Sequence, residues 1–251
     1  MRMWYFGGVE VAEERITIRS YECGAGGRIK IASLMQHLQE AAALHAEQLG
    51  FGREKMDRLD GYWVLSNVRL EIAEQPKWNQ QVTIRTWPSG YSRSIASREF
   101  IGIDRNGREL FRAGSEWMVL DKHRGRPKNL FHLDLVLPKT GTKALQGELD
   151  RLEPQQGGIA VDRLRVGRSA IDLNGHVNNT EYIRWGMDAL SRQFKLGDEI
   201  CCVHATYLSE VFEADELDLL ASGGPGGCFQ VLAQKADART NVFVMDVTRE
   251  E

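Results

Sequence analysis

The chain has 251 residues, 42% hydrophobic and 27% charged, with a formal net charge of −3. That composition suits a globular protein of one large or two ordinary domains, and its weak acidity argues against a generic nucleic-acid binder. No stretch approaches the roughly 18 apolar residues that span a bilayer, and Cys23, Cys201, Cys202 and Cys228 show no metal-binding spacing, so neither a membrane span nor a metal module is expected.

The N-terminal MRMWYFGGVEVAEERI is too poor in apolar residues for a secretory signal and too acidic for a transit peptide. With adjacent Cys201 and Cys202 reading as small residues of a reducing compartment, the expected location is the cytoplasm. Alternation in RITIRSY, Arg15 to Tyr21, predicts a strand. A glycine-rich turn, Gly24 to Gly27, leads into IASLMQHLQEAAALHAEQLG, where Ile31, Leu34, Met35, Leu38, Ala42, His45 and Leu49 share one helical face and Gly50 supplies the stop. His37 and His45 lie on this helix with no third metal ligand in view, so packing is their expected role. Four strands are predicted next, at Tyr62–Ile72, Gln81–Thr86, Ser94–Asp104 and Glu109–Leu120, with Asn106-Gly107 as a hairpin turn.

Periodicity fades from Asn129 to Gly158, and residues 136–157 are expected to link an N-terminal domain (1–135) to a C-terminal one (158–251). The same order then returns: a strand at Ile159–Val166, a helix ending near Phe194, and strands at Ile200–Leu208, Glu216–Ser222, Phe229–Ala236 and Asn241–Thr248, with SGGPGGC as a turn. Sliding the second half back by 148 positions superposes Leu164 and Val166 on Ile16 and Ile18, and Tyr182 and Ile183 on Leu34 and Met35. The fold class is therefore α+β, one helix-and-sheet unit used twice.

The second copy carries what the first lacks. In DLNGHVNNTEYIRW the polar residues Asp172, Asn174 and His176 alternate, which suits extended backbone with all three on one side, whereas the first copy has Gly24, Gly26 and Arg28 there. Asn178-x-x-Glu181 has the form of a helix-capping box, so the trio precedes a helix N-terminus. Such a place suits a reaction in which a carbonyl oxygen becomes an oxyanion, with backbone amides near Val177, Asn178 and Asn179 as donors. A plain turn made by Asp172 and Asn174 is an equally good reading of the spacing alone.

The motifs TIRSYE, LMQHLQEAA, Trp63–Glu71, Pro76–Trp87 and DLNGHVNNTEYIRW together resemble the fatty acyl–acyl carrier protein (ACP) thioesterases of plants and bacteria. The resemblance implies two tandem hotdog domains and hydrolysis of acyl-ACP to fatty acid and ACP, with no cofactor or metal. It assigns catalysis to Asp172, Asn174, His176 and, in TYLSEV, Glu210. Plant members often have a Cys beside that Glu; Val211 here favours carboxylate-assisted attack by water. A missing plastid-targeting extension suggests a bacterial protein. The acyl chain is expected in the first domain, near Met35, Leu38, Trp63 and Leu65, which ordinary core packing explains equally well. The acidic carrier is expected to dock on Lys122, Arg124, Arg126 and Lys128. An acyl-CoA thioesterase and a non-catalytic acyl-thioester sensor are the alternatives, and a monomer or homodimer fits either.

Overall fold

The apolar stripe of the first long helix is satisfied as its spacing predicts. In this computed structural model, which describes residues 2–6, 9–197, 199–224 and 226–249, α1 spans Ile31–Gln48. Leu34, Met35, Leu38, Ala41, Ala42 and His45 are buried along it. Each fully buried aliphatic side chain of this kind stabilises the fold by roughly 1.5–3 kcal/mol. The helix ends where Gly50 takes φ +78°, a left-handed value that costs glycine nothing.

Two units divide the chain, residues 1–29 with 34–149 and residues 30–33 with 150–251. The strands of the first are β1 (Arg2–Phe6), β2 (Val9–Thr17), β3 (Gly61–Ile72), β4 (Gln81–Tyr91), β5 (Ala96–Asp104) and β6 (Glu109–Asp121), with a short helix α2 (Arg53–Arg58) before β3. They pair antiparallel in the order β1-β2-β4-β5-β6-β3. The predicted strand through Tyr21 is corrected: β2 stops at Thr17, and Ser20–Glu22 winds into a 3₁₀ turn whose Glu22 carboxylate holds the Arg19 amide at 2.6 Å. Neither β1 nor α2 was expected from the sequence, since both are too short to show a period.

The second unit has β7 (Ile159–Arg165), α3 (Asn179–Phe194), β8 (Ile200–Tyr207), β9 (Glu216–Gly223), β10 (Cys228–Lys235) and β11 (Asn241–Arg249). Its strands pair antiparallel in the order β8-β11-β10-β9-β7, and α3 packs on β7, β9, β10 and β11 through Tyr182, Ile183, Gly186, Ala189 and Leu190. Pro225 of the predicted glycine-rich turn lies outside the described residues, as do Met1, Gly7 and Gly8 of the N-terminal stretch.

Residues 133–158 carry no helix or strand, yet they are tied down. On the first unit, Trp87 Nε1 donates to Thr142 O at 2.9 Å, Ala144 N to Glu99 Oε2 at 3.0 Å and Asn67 Nδ2 to Leu149 O at 3.0 Å. On the second, Leu152 N donates to Thr206 Oγ1 at 3.0 Å and Gln155 N to Gln230 Oε1 at 2.6 Å. Side chains here supply the bonds that a regular element would otherwise provide.

The 148-residue repeat holds element by element. A strand ends at Thr17 and at Arg165, a 3₁₀ turn occupies Ser20–Glu22 and Arg168–Ala170, and a helix begins at Ile31 and at Asn179. Between turn and helix, a bridge joins Cys23 to Ile29 and Ile171 to Val177.

Candidate active site

The stretch from Asp172 to His176 is a tight turn, not the extended backbone that its alternating polar residues suggested. Asp172 N donates to His176 O at 2.8 Å and Gly175 N to Asp172 O at 3.1 Å, with Gly175 at φ +83°. The Asp172 carboxylate faces the turn's own amides: Oδ1 accepts from Asn174 N at 2.7 Å and His176 N at 3.3 Å. It therefore acts on His176 through the backbone, while the Asn174 side chain sits exposed at the tip.

The first copy supplies a control for this turn. Gly24 N donates to Arg28 O at 2.9 Å and Gly27 N to Gly24 O at 3.0 Å, with Gly27 at φ +71°. The same backbone closes without any side chain at Gly24, so the turn does not need a carboxylate at Asp172.

Glu210 leaves β8 three residues after Tyr207 and reaches the turn. His176 Nδ1 and Glu210 Oε1 are 3.4 Å apart, with the side chains 19% and 32% exposed. Partial exposure leaves the pair open to a water and a substrate, and such contacts are often loose before substrate binds. The neighbours of the two residues hold them there: Val177 N donates to Val211 O at 2.9 Å, and both valines are buried. In the first copy the matching bond runs from Ile29 N to Pro76 O at 2.8 Å. By that register Gln75 stands where Glu210 stands and Arg28 where His176 stands, so the first copy has no acid–imidazole pair at these two stations.

Two of the amides nominated for an oxyanion are already used. Val177 N is bonded to Val211 O, and Asn178 N donates to Ala170 O at 2.8 Å. Asn178 caps α3, its Oδ1 accepting from Thr180 N at 2.9 Å and Thr180 Oγ1 at 2.8 Å. Glu181 pairs with Arg184 at 3.2 Å in place of the reciprocal bond of a capping box. Asn179 O accepts from Tyr207 Oη at 3.0 Å, which pins the first turn of the helix to β8. Burial raises the phenol pKa of Tyr207 and of Tyr182 well above the usual range, with Asp215, Glu210 and Asp172 adding to the effect at Tyr182.

Phe212 escaped sequence reasoning, since nothing in SEVFEAD marks its ring. It meets His176 edge to face with centroids 5.0 Å apart and remains 45% exposed. Lys235 Nζ lies 5.7 Å from the centre of the same ring and 2.9 Å from Asp215 Oδ2. Burial works to raise the Asp215 carboxyl, but bonds from Lys235 and the Phe212 amide hold it below its usual value.

The remaining expected residues lie in the first unit. Met35, Leu38 and Leu65 are buried core, and half-buried Trp63 donates from Nε1 to Phe51 O at 2.9 Å beside the Phe51 ring. In the basic run, Lys122 pairs with Asp57 and Lys128 with Asp121 at 2.9 Å, leaving Arg124 and Arg126 exposed and without a carboxylate partner among the described residues. His37 Nε2 sits 2.9 Å from Glu22 Oε1, while His45 Nδ1 accepts from buried Arg98 at 3.0 Å. Among the described residues no group of three His, Cys, Asp or Glu side chains is arranged to hold a metal ion, and no helix is long and apolar enough to cross a membrane.

Residues 10–132 match the family model described as the acyl-ACP thioesterase N-terminal domain, and residues 155–245 match that of the C-terminal domain. A chloroplastic palmitoyl-acyl carrier protein thioesterase of Cuphea hookeriana is 27% identical over 90% of this chain and 59% of its own length. For chloroplastic oleoyl-acyl carrier protein thioesterase 1 of Arabidopsis thaliana the figures are 26%, 86% and 66%. The chain thus spans about three-fifths of the curated relatives it matches. An acyl-ACP thioesterase from Bacteroides thetaiotaomicron superposes with a TM-score of 0.83 at 23% identity, covering 96% of this chain and 98% of that one. The 12:0-ACP thioesterase of Umbellularia californica gives 0.81 at 21% identity over 96% and 97%. The α+β architecture is accordingly that of the hotdog fold, present twice.

Proposed function

The chain belongs to the acyl-ACP thioesterase family, and from that premise we propose that it hydrolyses the thioester of a fatty acyl–acyl carrier protein to free fatty acid and carrier thiol. One observation supports the reading above others: the Glu210 carboxylate stands 3.4 Å from His176 Nδ1 on two loops bonded to each other, whereas the first copy has Gln75 and Arg28 at those stations. A scaffold that closes with Gln and Arg has no packing need for the acid–imidazole pair.

Glu210 takes a proton from water as the oxygen attacks the thioester carbonyl carbon. His176 and the Asn174 side-chain amide donate to the oxyanion as it forms. Collapse of the tetrahedral intermediate breaks the carbon–sulfur bond, and the proton held by Glu210 passes to the departing thiolate. A positioned general base contributes about 10²–10⁴-fold and an oxyanion donor about 10²–10³-fold. Asp172, accepting from the His176 amide, sets the position of His176 within a turn whose backbone closes by itself at Gly175. With the Val177 and Asn178 amides occupied, the side chains of His176 and Asn174 serve as oxyanion donors. Val211, buried and apolar, provides no nucleophile beside Glu210. Exposed Arg124 and Arg126 form the docking charge for the acidic carrier. Among the described residues no disulfide joins Cys23, Cys201, Cys202 or Cys228, consistent with a reducing cytoplasm, and a bacterial one is proposed.

Thiol release from a C8 to C18 panel of acyl-ACPs, with the matching acyl-CoAs alongside, tests the proposal. Turnover with higher kcat/KM on the carrier protein supports it. Higher kcat/KM on CoA makes the chain an acyl-CoA thioesterase, and tight binding without thiol release makes it a sensor.

A further inference from the structure

Two exposed apolar side chains flank the candidate site at positions where the first copy has Ala25 and Lys77. Leu173, at the tip of the Asp172–His176 turn, is 82% exposed, and Phe212 is exposed beside His176. Exposed large apolar side chains are common singly, but two on the loops that carry Glu210 and His176 need a reason.

The internal repeat shows only that the fold does not require an apolar residue at these two positions, since the first copy exposes Tyr21 and Trp78 elsewhere on the matching segments. Leu173 corresponds to Ala25 through the matched turns. Past the matched bonds at Pro76 and Val211, Asn79 N donates to Ile18 O at 2.9 Å, and Ala214 N to Val166 O at 3.0 Å. Asn79 and Ala214 both take positive φ, +63° and +71°, so the two segments run in step and Phe212 corresponds to Lys77. Ala25 and Lys77 therefore serve the same two backbone positions in the first copy.

A cation accompanies them. Arg168, in the 3₁₀ turn before the catalytic turn, has an 89% exposed side chain whose Nη1 is 3.6 Å from Glu213 Oε2, on the residue after Phe212. That loose exposed pair leaves the guanidinium available to an anion, because exposed ion pairs are weak.

A surface that is apolar next to the reacting atoms and cationic further out matches a slender arm with a methyl-bearing stem and a terminal phosphate. Resting on the function proposed above, we propose that Leu173 and Phe212 clamp the 4′-phosphopantetheine arm of an acyl carrier protein, and that Arg168 receives its phosphate. Phe212 also restrains the His176 ring, so the arm and the imidazole are set by one side chain.

The test compares two thioether analogues that cannot be hydrolysed: an alkyl chain on carrier-bound phosphopantetheine, and the same chain on ethanethiol. Binding is measured by titration calorimetry for wild type, Leu173→Ala, Phe212→Ala and Arg168→Ala. Each variant is expected to lower the preference for the armed analogue by about tenfold, as loss of a partly buried contact predicts. For Arg168→Ala the loss shrinks at high salt. Leu173→Ala reproduces the residue of the first copy, so its fold is secure. The same preference in the variants as in wild type, or an equal loss on both analogues, overturns the clamp while leaving hydrolysis standing. Wild-type preference for the armed analogue without thiol release from acyl-ACP would instead overturn the proposed function and keep the clamp.

Discussion

His45 carries an unusual electrostatic load for a residue in an apolar core, and its effect on stability is calculable. Arg98, 6% exposed, can only donate, so His45 Nδ1 must accept its bond and the ring proton sits on Nε2, which has no partner among the described residues. Thr86 Oγ1, at 3.1 Å, is the other partner of the same guanidinium nitrogen, and among the described residues no carboxylate pairs with it. Burial lowers the Arg98 pKa to about 10. Burial first, and the Arg98 charge second, push His45 from 6.5 down to about 3. Folding thus excludes a proton that the unfolded chain binds below its own pKa. The His45 contribution is whole above about pH 6.5 and is lost progressively as pH falls towards about 3. Between about pH 7.5 and pH 5 the loss is about 2 kcal/mol, from 1.36 kcal/mol for each of roughly 1.5 units below 6.5. At about 2–4 °C per kcal/mol, His45 alone lowers Tm by about 4–8 °C over that interval.

His45→Asn keeps an acceptor for Arg98 and removes the titration. Its Tm should fall about 4–8 °C less than that of wild type between the two pH values. Of the six tryptophans only Trp185 lies in the second unit, so tryptophan fluorescence follows chiefly the relevant transition. The carboxyls of Glu14, Glu99 and Asp246, raised by burial, titrate with the opposite sign but are common to both proteins and cancel. Parallel Tm profiles within about 1 °C would refute the reasoning.

Asp172→Gly copies Gly24 of the first unit; thermal unfolding should show a loss of about 1 kcal/mol or less, while kcat falls at least about tenfold. Unchanged kcat would reduce the carboxylate to a turn former. Gly175→Ala and Gly27→Ala each place a Cβ at positive φ with nothing within 4 Å to collide with, so each should cost about 1–2 kcal/mol by backbone strain alone. Only Gly175→Ala should also lower kcat, and an equal effect of both on turnover would contradict the division of roles between the copies. Reversing Arg124 and Arg126 to Glu should raise KM for acyl-ACP and barely change that for acyl-CoA; equal shifts on both carriers would remove the run from docking.

Much of this was legible because it is periodic or repeated. The i, i+4, i+7 spacing in α1 has one helical solution, and glycines at matching places in both copies fix the same turn. Alternation misled at Asp172, Asn174 and His176 because polar residues two apart also serve a turn, and only Gly175 hinted at the positive φ that closes it. Glu210 had no local signal and came from family resemblance alone. Phe212 against His176 and Arg98 against His45 join residues 36 and 53 positions apart, and contacts made by tertiary packing leave no period to read.

The most direct test of the central claim is the rate of thiol release from acyl-ACP by Glu210→Gln, with Tm measured on the same sample. Removing the base while keeping its shape should cut kcat by about 10²–10⁴-fold with Tm close to wild type. Turnover comparable to wild type from that folded variant would contradict the claim that Glu210 and His176 split the thioester.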